Sequence, residues 1–391
     1  MRAPSTSVEY TCALSSALPA ATDRPTVALI DLHALAHNFG EVRRRAGNRN
    51  ILAMVKAQAY GHGAVAVSQK LAELGAHMLG VALVEEGVEL RDAGISLPIL
   101  VMGPVFPEQA AAIVRAGLTP TVFTQAMARA LSTAAMDAGT TQKVHVKIDT
   151  GMGRLGLLPE EAAGFVADLS KLPGLAVEGV MTHFADADLR DKHFADRQME
   201  RFESFLRNLG NQGIMVPLRH AANSAAVLEY DRALFTMVRP GIMLYGYNPL
   251  ESRVTADLRP VMTLKTRIAF LKKVPAGTPI SYGRTFVTQR ESLIATIPLG
   301  YADGFRRDLS NRGEMLVRGR RAPVAGRVCM DMTMLDVTAV HGVMEGDEVV
   351  LIGSQERERI TADEIASTCG TISYEVLCGI SSRVPRVYSS E

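Results

Sequence analysis

Between about residue 27 and residue 248, short apolar runs alternate with longer stretches of mixed polarity. The apolar runs cover residues 50–56, 77–84, 98–102, 118–123, 144–149, 175–183, 217–222 and 237–247. Each is short and rich in branched aliphatic residues, as strands are. Between them, stretches such as 107–117, 125–138, 159–172 and 192–209 carry Ala, Leu and charge in helical patterns. Gly and Pro mark the junctions, as at Leu172-Pro173-Gly174 and Arg115-Ala116-Gly117. Eight strand-like runs interleaved with helices predict an α/β architecture with a parallel sheet, closed as a TIM-like (β/α)8 barrel.

After about residue 258 the pattern changes. Apolar segments at 261–271, 293–298, 315–317, 324–328, 334–337 and 348–352 are short and closely spaced. Turns separate them at Pro275-Ala276-Gly277, Arg318-Gly319-Arg320 and Glu345-Gly346-Asp347, and only 361–367 reads as helix. This predicts a mostly antiparallel β domain. The expected organisation is a variable tail over 1–26, a barrel over 27–258 and a β domain over 259–391.

Composition narrows the function classes. At 391 residues the chain is long enough for two domains, and 47% hydrophobic with 21% charged residues describes a globular protein. With 42 Lys+Arg against 41 Asp+Glu, no excess charge favours nucleic acid or an anionic membrane. Cys12, Cys329, Cys369 and Cys378 form no CxxC pair and have no His-rich partner stretch, so reduced thiols are expected and a metal site is not. No apolar run approaches the roughly 18 residues of a membrane span. Arg2 followed by residues 11–21 faintly resembles a signal peptide, but Glu9 and the serines argue for a tail. A cytoplasmic protein is expected.

The first apolar run ends in Lys56, followed by Ala57-Gln58-Ala59-Tyr60-Gly61-His62-Gly63. Residues at the C-terminal ends of barrel strands face the active site. A partly desolvated lysine there has a lowered pKa and a free amine, fit to form a Schiff base. A solvated lysine capping a strand end is the plainer reading of the same residue; Tyr60 and the turn raise the chemical one. The seventh run ends in His220-Ala221-Ala222-Asn223-Ser224, and the eighth contains Val238-Arg239-Pro240-Gly241-Ile242. Barrels often bind phosphate at the loops after those two strands. Ser224 offers a hydroxyl, Gly241 and Ile242 offer backbone N–H groups, and Arg239 is a lasting cation. A helix cap and a turn would explain Ser224 and Pro240-Gly241 singly; their joint placement favours a phosphate site.

Gly151-Met152-Gly153-Arg154-Leu155-Gly156 fits G-x-G-x-x-G after a strand, with Glu178 near the distance of a ribose contact. A nicotinamide-dependent oxidoreductase is therefore an alternative. Against it, several strand–helix units precede the motif, Pro159 starts the next helix beyond the last glycine, and Arg154 is a long cation inside the loop. Arg154 can instead clamp a substrate carboxylate. Strand alternation puts Lys147 on the same face as Asp149, so Lys147 and Arg154 can converge, and two such cations repel unless one is neutralised. Candidate acid/base groups near turns are His183, Tyr282 and Tyr301, although either tyrosine would also suit an interface.

Taken together, these segments resemble alanine racemases from about residue 26 to residue 388, in the family's order. The matching stretches are Val55-Lys56-Ala57-Gln58-Ala59-Tyr60-Gly61-His62-Gly63, the segment 147–154, Ile280-Ser281-Tyr282-Gly283-Arg284-Thr285, Leu299-Gly300-Tyr301-Ala302-Asp303-Gly304, Cys329-Met330-Asp331, Ile372-Ser373-Tyr374-Glu375 and Ser382-Arg383-Val384-Pro385-Arg386. One departure is Gln58, where the family more often has Asn. The resemblance implies pyridoxal 5'-phosphate on Lys56, with Tyr60, Ser224, Gly241, Ile242 and Tyr374 about its phosphate, Arg239 at its ring nitrogen, and Asn223 and His183 also in the cofactor site. It implies Arg154, Met330 and Tyr301 around the substrate, and Tyr282 as the second base, contributed by the neighbouring subunit of a homodimer. It also implies a carbamylated Lys147, since the family's lysine often becomes an anion that pairs with the arginine. The implied activity is interconversion of L- and D-alanine, supplying D-alanine for peptidoglycan. A broader small amino-acid racemase, a non-catalytic pyridoxal-phosphate carrier and a decarboxylase on a related barrel remain alternatives; the last should offer an acid where this chain has Arg239.

Overall fold

The computed structural model describes residues 23–250 and 256–389. Cys12 and the signal-like segment over 11–21 lie outside the described residues. The first strand, β1 (Val27–Asp31), corrects the expected domain boundary: it does not belong to the barrel. It lies in the sheet of the second domain, antiparallel to residues 262–265 and parallel to residues 386–389. Residues 23–26, read as the end of a variable tail, are anchored too. Arg24 pairs with Asp303 at 2.7 Å, and the buried Thr26 hydroxyl meets that of Thr266 at 2.8 Å. The helix Leu32–Ala46 then crosses to the barrel, capped by the Asp31 carboxylate on the N–H groups of His33 and Ala34.

The barrel has the eight expected parallel strands. They are β2 (Asn50–Met54), β3 (Met78–Val81), β4 (Ile99–Val101), β5 (Thr119–Val122), β6 (Gln142–Lys147), β7 (Leu175–Met181), β8 (Leu218–His220) and β9 (Met237–Val238). Neighbours pair in sequence order from β2 to β8, and β9 pairs with β2 through Asn50–Met237 and Ile51–Val238. Closure is completed by Thr236 N donating to Arg219 O at 3.1 Å and Arg239 N to Ala222 O at 2.8 Å. Strands covered on both faces, such as β3 and β4, read as apolar runs without alternation, whereas β6, β7 and β8 carry polar residues. Seven of the eight strands are shorter than their apolar runs, and two of these bear on the site. The run 175–183 ends as strand at Met181. In the run 237–247 only two residues are strand; Pro240 cannot donate to the ladder, and Ile242–Tyr245 form a 3-10 turn.

The second domain is mostly antiparallel. Its larger sheet contains β10 (Met262–Arg267), then β15 (Glu314–Val317), β16 (Arg320–Pro323), β18 (Glu348–Gln355), β19 (Glu358–Ile360) and β20 (Arg386–Ser389), in the order β16-β15-β18-β10-β1-β20 with β19 on β18. A smaller sheet joins β11 (Phe270–Val274), β14 (Ser292–Ile297) and β17 (Thr333–Asp336), and a hairpin pairs β12 (Pro279–Ile280) with β13 (Phe286–Val287). The segment 324–328 is not a strand; only Val324 makes an isolated bridge, to Leu335. Besides the expected helix, observed as Ala362–Cys369, a second one spans Ser373–Cys378. One continuous core links barrel strands, their helices and the larger sheet, including Leu35, Ile51, Leu79, Tyr245, Leu264 and Leu377. Among the described residues, no helix is long and apolar enough to cross a membrane.

Candidate active site

The lysine sits on an unusual turn. After β2, residues Lys56–Tyr60 form a single helical turn in which Ala57, Gln58, Ala59 and Tyr60 all have positive φ, from 52° to 55°. Left-handed backbone costs about 1–2 kcal/mol per L-residue, so the turn must be held from outside. Ala57 N donates to Glu86 Oε1 at 2.6 Å, and Ala59 N donates to Val55 O at 2.8 Å. The Gln58 amide donates to Glu89 at 2.9 Å, so the one departure from the family pattern is used in bracing the turn. Gly61 closes it at φ 84°, where a Cβ would lie 2.2 Å from Leu377 O in the helix Ser373–Cys378.

That turn leaves Lys56 half-buried at the barrel mouth and drives the Tyr60 ring inward. Burial lowers the Lys56 pKa, and the nearby Arg154 charge lowers it further. Tyr60 packs against Tyr245, with centroids 4.9 Å apart, and against Tyr374 at 6.0 Å. Tyr374 thus reaches the mouth from the second domain of the same chain. Burial raises the pKa of both phenols, so Tyr60 and Tyr374 stay protonated donors. The Tyr60 hydroxyl lies against Gly241, whose N–H donates to Ser224 Oγ at 2.8 Å. Asn223 takes a cap role: its Oδ1 accepts from Ala226 N at 3.0 Å and so seats Ser224. Ile242 follows Gly241, buried, at the start of the 3-10 turn.

Arg239 is only 2% exposed and is ringed by acceptors. Its Nη2 donates to Thr182 O at 2.7 Å and Ala221 O at 3.0 Å, and lies 3.3 Å from His183 Nδ1. Its Nη1 is 3.0 Å from His220 Nδ1. Burial pushes the guanidinium down to about 9. His183 is held well below its ordinary value, by burial first and then by Arg239, Arg154, Lys147 and Lys56. Lys147 is buried, and burial together with Arg154 and Arg239 lowers it to about 8. Four cationic side chains therefore converge at one mouth, which calls for anionic ligands.

Tyr282, Tyr301 and Met330 lie elsewhere in this single chain. They are 70%, 42% and 52% exposed. Their loops are stitched together: Tyr301 N donates to Cys329 O and Ala302 N to Met330 O, each at 3.0 Å, and Ser281 Oγ donates to Arg327 O at 2.6 Å. Among the described residues, the Tyr282 hydroxyl has no hydrogen-bond partner. The expected site residues thus fall into two groups, one at the barrel mouth and one on an exposed face of the β domain.

The dinucleotide alternative is overturned by this geometry. Residues 151–156 form a loop braced by Asp149, whose carboxylate accepts from Gly151 N at 2.9 Å and Gly153 N at 3.1 Å, and no helix starts until Pro159. Glu178 is not near that loop's phosphate-binding position but pairs with Lys143 at 2.7 Å. The barrel also has no open-sheet crevice where such a loop would work. Several residues at or beneath the mouth were not singled out from sequence, namely Glu86, Tyr245, His145 and His220. The one available signal was His145, a polar residue inside the apolar run Val144-His145-Val146.

Family models match almost the whole described chain: alanine racemase, N-terminal domain, over residues 30–249, and alanine racemase, C-terminal domain, over residues 261–388. The chain belongs to the alanine racemase family. An alanine racemase of Halothermothrix orenii is 50% identical over 370 residues, covering 94% of this chain and 98% of that protein. The structure of the alanine racemase of Clostridium difficile 630 superposes with a TM-score of 0.90 at 40% identity, covering 94% of this chain and 96% of that one. The alanine racemase of Bacillus anthracis, solved with bound L-Ala-P, gives 0.90 at 39% identity over 95% of this chain and 97% of that one. The TIM-like barrel followed by a β domain is thus the architecture of alanine racemases at large, and the chain is an isomerase of that kind.

Proposed function

We propose that the chain interconverts L- and D-alanine by two-base proton transfer on pyridoxal 5'-phosphate, as a homodimer with shared sites, and supplies D-alanine for peptidoglycan in the cytoplasm. One observation carries the cofactor reading: a lysine amine with lowered pKa shares a mouth with the donors Tyr60, Ser224 and the Gly241 backbone, and with a buried arginine. The residues fit the group. The Tyr60 hydroxyl lies against Gly241, whose backbone N–H meets Ser224 Oγ at 2.8 Å, and hydroxyls and backbone N–H groups are the donors that hold a phosphate.

When bound, the cofactor's conjugated ring withdraws electrons from the substrate carbon and acidifies its α-hydrogen. Lys56 would hold the cofactor, and its amine would take or give a proton on one face of the substrate. Arg239, which keeps its own proton, would meet the ring nitrogen and leave it unprotonated, a weaker electron sink that would restrain transamination. Arg154 binds the substrate carboxylate, and Lys147, neutral or carbamylated, reduces its repulsion with Arg154. Tyr282 serves the opposite face from a second copy of the chain, with Tyr301 and the Met330 backbone beside it. The exposure of that loop suits a surface completed by a partner.

The test is direct. Purified protein should show visible absorbance that borohydride fixes to the peptide containing Lys56, and it should interconvert the alanine enantiomers. A colourless protein sinks the cofactor reading, and a coloured one that leaves either enantiomer untouched sinks the activity.

A further inference from the structure

Beneath Arg239 a row of buried polar groups runs down the inside of the barrel, and the proton transfers above do not use it. Arg239 Nη1 lies 3.0 Å from His220 Nδ1, His220 Nε2 lies 2.8 Å from His145 Nδ1, and His145 Nε2 lies 3.4 Å from Glu178 Oε2. Glu178 Oε1 in turn reaches the exposed Lys143 Nζ at 2.7 Å. Both imidazoles are fully buried. Burying an imidazole is costly unless each ring nitrogen finds a partner, so the row is a fully connected network.

Its chemistry leaves one arrangement of protons. Arginine only donates, so His220 Nδ1 accepts and its proton sits on Nε2. That proton is given to His145 Nδ1, so the proton of His145 sits on Nε2 and points to Glu178. The carboxylate accepts only, held down to about 2 by its hydrogen bonds to His145 and Lys143. A second proton on either ring would set N–H against N–H somewhere in the row, and burial keeps both rings neutral. Every donor therefore points the same way, from Arg239 to Glu178.

The backbone is shaped for this contact. β6 and β7 pair Val144 with Val177 and then His145 with Gly179, leaving Glu178 as an extra residue. A bulge of this kind re-aims a side chain. At Gly179 a Cβ would lie 2.5 Å from the His145 ring. Two separate departures from a regular parallel pair thus serve one imidazole–carboxylate contact.

We propose that Glu178 is a positioning residue for Arg239: by accepting the last proton of the row it holds His145 and His220 in the one orientation that aims the guanidinium at the cofactor's ring nitrogen. Only the final clause rests on the cofactor reading. Without an acceptor at position 178, His145 is left with a buried, unpartnered donor and gains by turning away. His220 then loses its acceptor, and Arg239 loses one of its anchors.

Nitrogen-15 NMR of histidine-labelled protein without cofactor tests the arrangement directly. Both rings should be neutral with the proton on Nε2 from about pH 6 to 9. An Nδ1–H form or an imidazolium at either ring overturns the proposal. Glu178→Gln keeps an acceptor of the same reach and should retain both tautomers, with racemisation within about threefold. Glu178→Leu removes the acceptor; the ring signals should average between tautomers, and racemisation of alanine should fall about tenfold. Unchanged tautomers in the Leu variant, or a Gln variant that behaves like it, overturns the proposal. Should the Leu variant not fold, Gly179→Ala crowds the His145 ring with Glu178 intact and should give the same two changes; normal tautomers there overturn it as well. Protein that shows the ordered row but binds no cofactor would defeat the cofactor reading and leave the row standing.

Discussion

The hydroxyl of Tyr60 occupies the space that a side chain at position 241 would need: a Cβ there would lie 2.5 Å from Tyr60 Oη. Gly241→Ala should therefore push Tyr60 aside and open the Gly241–Ser224 contact. The expected outcome is a folded protein whose cofactor affinity falls about tenfold or more, since a charge-assisted hydrogen bond contributes about 1.5–3 kcal/mol. Retention of visible absorbance through dialysis measures it. Tyr60→Phe in the same chain should relieve the crowding but not the lost donor, so the double variant should bind no better than Tyr60→Phe alone.

Tyr282→Phe should leave the fold and cofactor binding unchanged, because the side chain is exposed and its hydroxyl has no partner among the described residues. Racemisation should fall by about 10²–10⁴-fold, the range for loss of a positioned acid or base. The proposed sharing of sites between two copies of the chain gives a sharper check. Inactive Lys56→Ala and Tyr282→Phe chains, unfolded and refolded together, should regain activity, because a mixed dimer holds one site with both residues intact. No recovery in verified mixed dimers would place both groups in one chain's site.

Much of this was legible in the sequence, for reasons that differ by element. Barrel strands such as β2 and β3 stand out because burial on both faces demands continuous apolar residues. The strand β1 has the same apolar look, Val27-Ala28-Leu29-Ile30, and nothing local says that it pairs with residues 262–265 and 386–389. Lys56 was legible from its place at a strand end, whereas the left-handed turn that presents it was not. Four L-residues in that conformation follow no propensity and depend on Glu86, Glu89 and Leu377, all distant in sequence. Glu178 entered the sequence reading only as a ribose contact of the disfavoured alternative, because its partner His145 becomes a neighbour only through a register slip.

Lys147 should give the protein a pH-dependent stability. Its amine is held at about 8 in the fold and is near 10.4 in an unfolded chain. Between those values the unfolded chain binds the extra proton, so stability rises with pH across that window, by about 3 kcal/mol in all. Below pH 8 the buried cation is a cost in full. Lys147→Met should remove this rise and be the more stable form near pH 7, measured by urea midpoints in bicarbonate-free buffer; an equal slope in both proteins would refute the assignment. The same lowered value leaves neutral amine available to carbon dioxide. With bicarbonate added, intact mass should show an increment on Lys147 that acid removes.

Arg239→Gln is the most informative change at the ring-nitrogen end. Thr182 O, Ala221 O, His183 Nδ1 and His220 Nδ1 all look toward the guanidinium as acceptors. Arg239→Glu would face those acceptors with a carboxylate, so loss of stability would confound any catalytic effect. An amide keeps two donors, enough for two of the four acceptors, and removes the charge. Racemisation should fall about 10–100-fold, while keto acid released per racemisation turnover should rise, because the ring nitrogen is no longer faced by a fixed cation and can take up a proton. Parallel assays of enantiomer exchange and keto acid formation measure that ratio. A fall in rate with the ratio unchanged would mean that Arg239 anchors the mouth without directing the fate of the carbanion.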